Sequence, residues 1–87
     1  HAGDGNLPPL VCYDDAVDGQ ADLAEQVATQ ILTYCLDVGG SLTGEHGIGV
    51  ARLPWWRQAT TPEARKLHAA FKRAVDPNGI LNPGKFV

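Results

Sequence analysis

The 87-residue sequence contains no methionine, only two cysteines and no long hydrophobic run, and each shortage narrows what the chain can be. Its apolar stretches fall far short of the roughly 20 residues a membrane helix needs, and no basic leader precedes an apolar segment. Nothing in it reads as an anchor or an address. Cys12 and Cys35 lack C-x-x-C spacing and a nearby histidine, so they read as small buried hydrophobes in a reducing compartment rather than as a redox pair. Basic residues are scarce as well. Seven Lys and Arg against ten Asp and Glu leave a formal charge of −3, and no cationic stripe exists to track a phosphate backbone. Nucleic acid is therefore not an expected partner. The missing Met, with His1 opening what proves to be a motif, gives the expectation of a piece of a longer protein.

What is present describes a small globular unit, 44% hydrophobic and 20% charged. At this size only about 60% of the unfolded surface is buried on folding, so a core of its own is marginal without a disulfide, a metal or a partner. "LPPLVCYDD" reads as a turn and then a strand at Leu10 to Tyr13, ended by Asp14 and Asp15. From Gln20 to Val38, Leu23, Val27, Ile31, Cys35 and Val38 recur at helical spacing, which predicts a long amphipathic helix stopped by Gly39 and Gly40. Ser41 to Thr43 reads as a second strand. Pro54 permits a short helix carrying Trp55 and Trp56. "TTPEARKLHAAFKRAV" predicts a helix capped by Thr60 or Thr61, with Leu67, Ala70, Phe71 and Val75 on its core face and His68 on its polar side. Asp76-Pro77-Asn78-Gly79 forms a turn. This order predicts an α+β fold: a partial ferredoxin-like sandwich with short antiparallel strands packed on two main helices.

Three polar clusters stand out, "HAGDGN" at residues 1 to 6, "GEHG" at 44 to 47 and "NPGK" at 82 to 85. Each has an ordinary reading as a turn. The middle one sits in "GGSLTGEHGIGV", where five glycines surround Glu45 and His46. Glycine at that density costs folding entropy, and is tolerated where the backbone takes positive φ or comes very close to another group. "GEHGIG" lacks the lysine and hydroxyl of a P-loop and the order of a dinucleotide fingerprint. His1, Glu45 and His46 have the donor atoms for a divalent cation, yet no H-E-x-x-H helix supports a metal site.

Together, "HAGDGNL", "GGSLTGEHGIG" and "DPNGILNPGK" resemble the C-terminal part of FAD-linked oxidases of the vanillyl-alcohol-oxidase type. Within that group the chain is most similar to glycolate oxidase flavoprotein subunits and to D-lactate and D-2-hydroxyglutarate dehydrogenases. The three motifs stand in the family's order and span nearly the whole chain. The resemblance implies FAD as cofactor, a small 2-hydroxy acid as substrate and hydride transfer to flavin as the reaction. It implies His46 as catalytic base, and Asn82, Glu45 and Gly47 as residues against the cofactor. A divalent metal, Zn or Mn, is implied at His1 and Glu45, but the family's second histidine in H-x-G-D-G-N-x-H falls on Pro8, whose side chain has no donor atom. A metal-free variant and a decayed copy both fit that change. The FAD-binding domain is expected N-terminal to these residues, on the same or a companion chain, in a cytoplasmic protein that meets a membrane only through partner subunits. The rival reading is a non-catalytic α+β binding or assembly module, or a decayed remnant of the family.

These 87 residues alone are accordingly expected neither to hold FAD tightly nor to turn over. Flavin absorbance, followed after the purified chain is mixed with FAD and glycolate or D-lactate, checks this; bleaching by substrate contradicts it.

Overall fold

The computed structural model describes residues 1–87, which divide into two compact units, His1–Gly44 and Glu45–Val87. Element order is a single 3₁₀ turn at Ala2–Asp4, then α1 (Gln20–Asp37), α2 (Leu53–Ala59) and α3 (Pro62–Val75). No strand forms. The expected α+β sandwich is thereby corrected to three helices joined by irregular segments.

Local features flank the first expected strand, and short-range hydrogen bonds occupy the backbone of the second. Pro8 and Pro9 have no amide to donate, and beyond Tyr13 the Asp14 amide donates to Gln20 Oε1 at 2.9 Å while Ala16 donates to Asp14 Oδ1 at 2.9 Å. At the second site Ser41 Oγ donates to the Thr43 carbonyl at 2.9 Å, and the Ser41 carbonyl accepts from Cys35 Sγ at 3.1 Å. Such short-range side-chain bonds compete with a ladder, and a strand without a neighbour has nothing to set against them.

In the first unit α1 begins at its expected residue, after Gly19 in the left-handed conformation. It ends in a Schellman motif: the Gly39 amide donates to the Leu36 carbonyl at 3.0 Å and the Gly40 amide to the Cys35 carbonyl at 2.7 Å. Gly39 has φ 78°, which only glycine takes without strain. The inward face of α1 differs from the expected one. Ala24 is buried and Ala28, Ile31, Leu32, Cys35 and Leu36 are half-buried, whereas Leu23, Val27, Tyr34 and Val38 form an exposed stripe. Only Ile31 and Cys35 of the expected core face lie inward. Cys12 is exposed and Cys35 half-buried, both as free thiols, so Cys12 is not the buried hydrophobe its neighbours suggested.

In the second unit Pro54 stands at the start of α2, and Trp55 and Trp56 are half-buried. Thr61 caps α3, its hydroxyl accepting from the Ala64 amide at 3.2 Å, with Pro62 and Glu63 in the first turn and Lys72 and Arg73 in the last. The two helices are tied by Arg65, whose guanidinium donates to the carbonyls of Arg57, at 3.0 Å, and Thr60. These carbonyls lie at the C-terminal end of α2, where intrahelical partners run out. The expected core face of α3 is a real stripe, but an uncovered one: Leu67 and Phe71 are 71% and 70% exposed, and Val75 is exposed beyond them. His68, expected to be merely solvated, instead meets Trp56 edge-on at 5.0 Å between ring centroids and Phe86 at 5.2 Å.

Candidate functional site

The glycine-rich segment crosses the boundary between the units. On the first unit's side, Leu42 is buried and Gly44 lies against Asn6 of the opening cluster. A Cβ at residue 44 would stand 2.7 Å from both terminal atoms of the Asn6 amide, closer than side chains tolerate. Asn6 is in turn held by its own backbone amide, which donates to the His1 carbonyl at 3.2 Å and reaches Asp4 Oδ1 at 3.4 Å. The first two sequence clusters therefore meet at Asn6 and Gly44, a contact the sequence reading did not anticipate.

On the second unit's side the loop presents Glu45 and His46. His46 Nε2 lies 3.7 Å from Glu45 Oε1, and the two side chains are 85% and 57% exposed. Adjacent Gly47 has φ 82° with open space where a Cβ would stand, and its carbonyl accepts from Arg52 Nη1 at 3.2 Å. Ile48 is buried and pins the far side of the loop. The result is an exposed imidazole and carboxylate side by side on a loop whose next residue, Gly47, takes positive φ.

The third cluster also belongs to the second unit. Asn82 is the one non-glycine residue with positive φ, at 47°, and its carbonyl accepts from the Lys85 amide at 3.2 Å. Ahead of it lies Asp76, whose carboxylate accepts from Lys72 Nζ at 2.5 Å and from the amides of Ile80 and Leu81 at 3.0 Å each. The Lys72 ammonium is the main reason its carboxyl lies below the ordinary range; burial opposes this, and the Leu81 and Ile80 amides add to it. Sequence reasoning took Asp76 for a turn residue and missed Lys72. The i, i+4 spacing of opposite charges was the available signal.

No group of three or more His, Cys, Asp and Glu side chains is placed to hold an ion, and Pro8 has no donor to offer. His1 belongs to the first unit and Glu45 to the second. A shallow groove along α1 lined by Asp22, Glu25, Gln26, Thr29 and Gln30 contains none of the cluster residues. No helix is long and apolar enough to cross a membrane.

With this geometry in hand, comparison with known proteins defines the class: residues 1–86 match the model of the family described as FAD linked oxidases, C-terminal domain, and the chain belongs to that family. Among its relatives, the glycolate oxidase subunit GlcD of Escherichia coli strain K12 is 45% identical over 98% of this chain and 17% of its own length. GlcD of Bacillus subtilis is 39% identical over 98% of this chain and 18% of its own. The mitochondrial cytochrome D-lactate dehydrogenase of Arabidopsis thaliana is 33% identical over 100% of this chain and 15% of its own. The chain thus spans about a sixth of the relatives it matches. No solved structure matches it.

Two outcomes follow from the contacts. Gly44→Ala brings a methyl against the end of the Asn6 side chain, which must turn aside; shifted Asn6 side-chain amide resonances with a denaturation midpoint little changed are expected, and unmoved resonances contradict the contact. Because the folded value of the Asp76 carboxyl lies below its unfolded value of about 3.9, its stabilisation is fully present above that pH. It is lost as pH falls through the folded value. The Ile80 and Leu81 amide resonances, followed during acidification, should hold steady through the ordinary carboxylate range and move only below it.

Proposed function

We propose that this chain is part of an FAD-dependent oxidoreductase that converts a 2-hydroxy acid of the glycolate or D-lactate type to the 2-oxo acid, with His46 as general base. The observation that carries the reading is the Glu45–His46 pair, 3.7 Å apart on an open glycine loop, in a chain of the FAD-linked oxidase family. Relatives named as glycolate oxidase subunits and D-lactate dehydrogenases support the substrate class.

The residues present suit a flavin. Around Gly47 the backbone is bare, with no atom within 4 Å of where a Cβ would stand, so a flat ring can lie against it. Asn82 carries an amide with both a donor and an acceptor suited to such a ring. When bound, FAD supplies the two-electron acceptor for the hydride that leaves the α-carbon. His46 takes the hydroxyl proton as that carbon is oxidised, a role suited to an imidazole near neutral pH. Glu45 orients the ring and balances the charge it gains. No step is assigned to a metal, because Pro8 supplies no donor where the resemblance places a ligand. The FAD-binding domain, of the same or a companion polypeptide, is the partner this reading requires.

In the flavin-loaded full-length protein, His46→Gln is expected to slow flavin reduction by glycolate or D-lactate by about 10²–10⁴-fold while leaving FAD bound. Stopped-flow absorbance measures both quantities. An unchanged reduction rate removes His46 from the chemistry.

A further inference from the structure

Asn82 stands between two anchors. Upstream, both backbone polar groups of Leu81 are engaged: its amide donates to Asp76 Oδ2 at 3.0 Å, and its carbonyl accepts from the Lys72 ammonium. The same ammonium donates to Asp76 Oδ2 at 2.5 Å, and Asp76 Oδ1 accepts from the Ile80 amide at 3.0 Å. Downstream, Phe86 packs on Trp56 at 4.9 Å between ring centroids and on His68 at 5.2 Å. Apolar burial does not hold the upstream end, because Ile80 and Leu81 are 74% and 56% exposed. The polar clamp does, and it is shielded: the Asp76 and Lys72 side chains are 2% and 22% exposed.

We infer that Lys72 and Asp76 are positioning residues that hold Leu81 and thereby preset the left-handed backbone of Asn82 for contact with the flavin. This rests on the reading of Asn82 as a flavin contact. A non-glycine residue at φ 47° is disfavoured in a free chain, though asparagine tolerates it better than most, and it persists where its neighbours leave no alternative. The clamp supplies that constraint two bonds upstream. Lys72 bridges the Asp76 carboxylate and the Leu81 carbonyl at once, which requires a donor with more than one hydrogen at the end of a flexible stem. Removing the ammonium leaves a shielded carboxylate without its countercharge and frees the Leu81 carbonyl, so the segment can relax. Asp76→Asn places an amide nitrogen among donors and has the same effect.

The test uses the full-length protein with two separate readouts. In the flavin-free form, hydrogen exchange across residues 79–85 should accelerate by at least about tenfold in Lys72→Met and Asp76→Asn, and return toward the native rate in Lys72→Arg, which keeps the donors. In the flavin-loaded form, Lys72→Met and Asn82→Ala should shift flavin absorbance in the same direction. Each should lower kcat by up to about 100-fold with little change in KM, and the double variant should be no worse than Asn82→Ala alone. Unchanged exchange in Lys72→Met overturns the clamp, whatever the flavin shows. Additive effects in the double variant overturn action through Asn82. If exchange accelerates as expected but Asn82→Ala leaves the flavin unperturbed, the flavin contact itself is what fails, and the positioning role fails with it.

Discussion

The carboxylate of Asp76 accepts three hydrogen bonds, from the Lys72 ammonium and from the amides of Ile80 and Leu81, and the path of the chain after α3 follows from them. Without the carboxylate, the Ile80 and Leu81 amides lose their acceptor and the segment between α3 and Asn82 loses its hold, since Ile80 and Leu81 find little cover. A nearly buried carboxylate is costly unless paired and hydrogen-bonded, and here it is both. The interaction is short in sequence, spanning residues 72 to 81, so little loop-closure entropy opposes it. It also delivers Asn82 to a fixed place in the second unit.

That reliance on polar contacts fits the weakness of the apolar ones. Ala24, Leu42 and Ile48 are the buried hydrophobic residues, and none is large and fully enclosed. Meanwhile Leu23, Val27, Tyr34 and Val38 of α1 and its cap, and Leu67, Phe71 and Val75 of α3, carry exposed stripes. Apolar faces of this kind mark surfaces that meet another layer of protein.

The five glycines between Gly39 and Val50 do separate jobs. Gly39 closes α1 in a left-handed turn, Gly40 sits within 2.7 Å of the Cys35 carbonyl, and Gly44 makes room for Asn6. Gly47 and Gly49 take positive φ beside the Glu45–His46 pair, where no neighbour crowds them. Two of the five thus serve close packing, and the pair next to His46 leaves open space beside it.

Periodicity and capping were enough to read the helices from the sequence: α1, the Pro54 turn and α3 with its Thr61 cap are local features, decided by residues within a few positions of one another. The motifs "GDGN", "GEHG" and "NPGK" were legible for the same reason, and they carried the family. Which face of α1 turns inward, whether Leu10–Tyr13 and Ser41–Thr43 find ladder partners, and that His68 joins an aromatic cluster depend on what lies across from each residue. Asp76 is the clearest case. Its identity as a turn residue was readable, but its grip on Leu81 arises only when α3 and the returning tail bring one ammonium and two amides to the same carboxylate, because hydrogen bonds act over a few ångströms of space rather than along the chain.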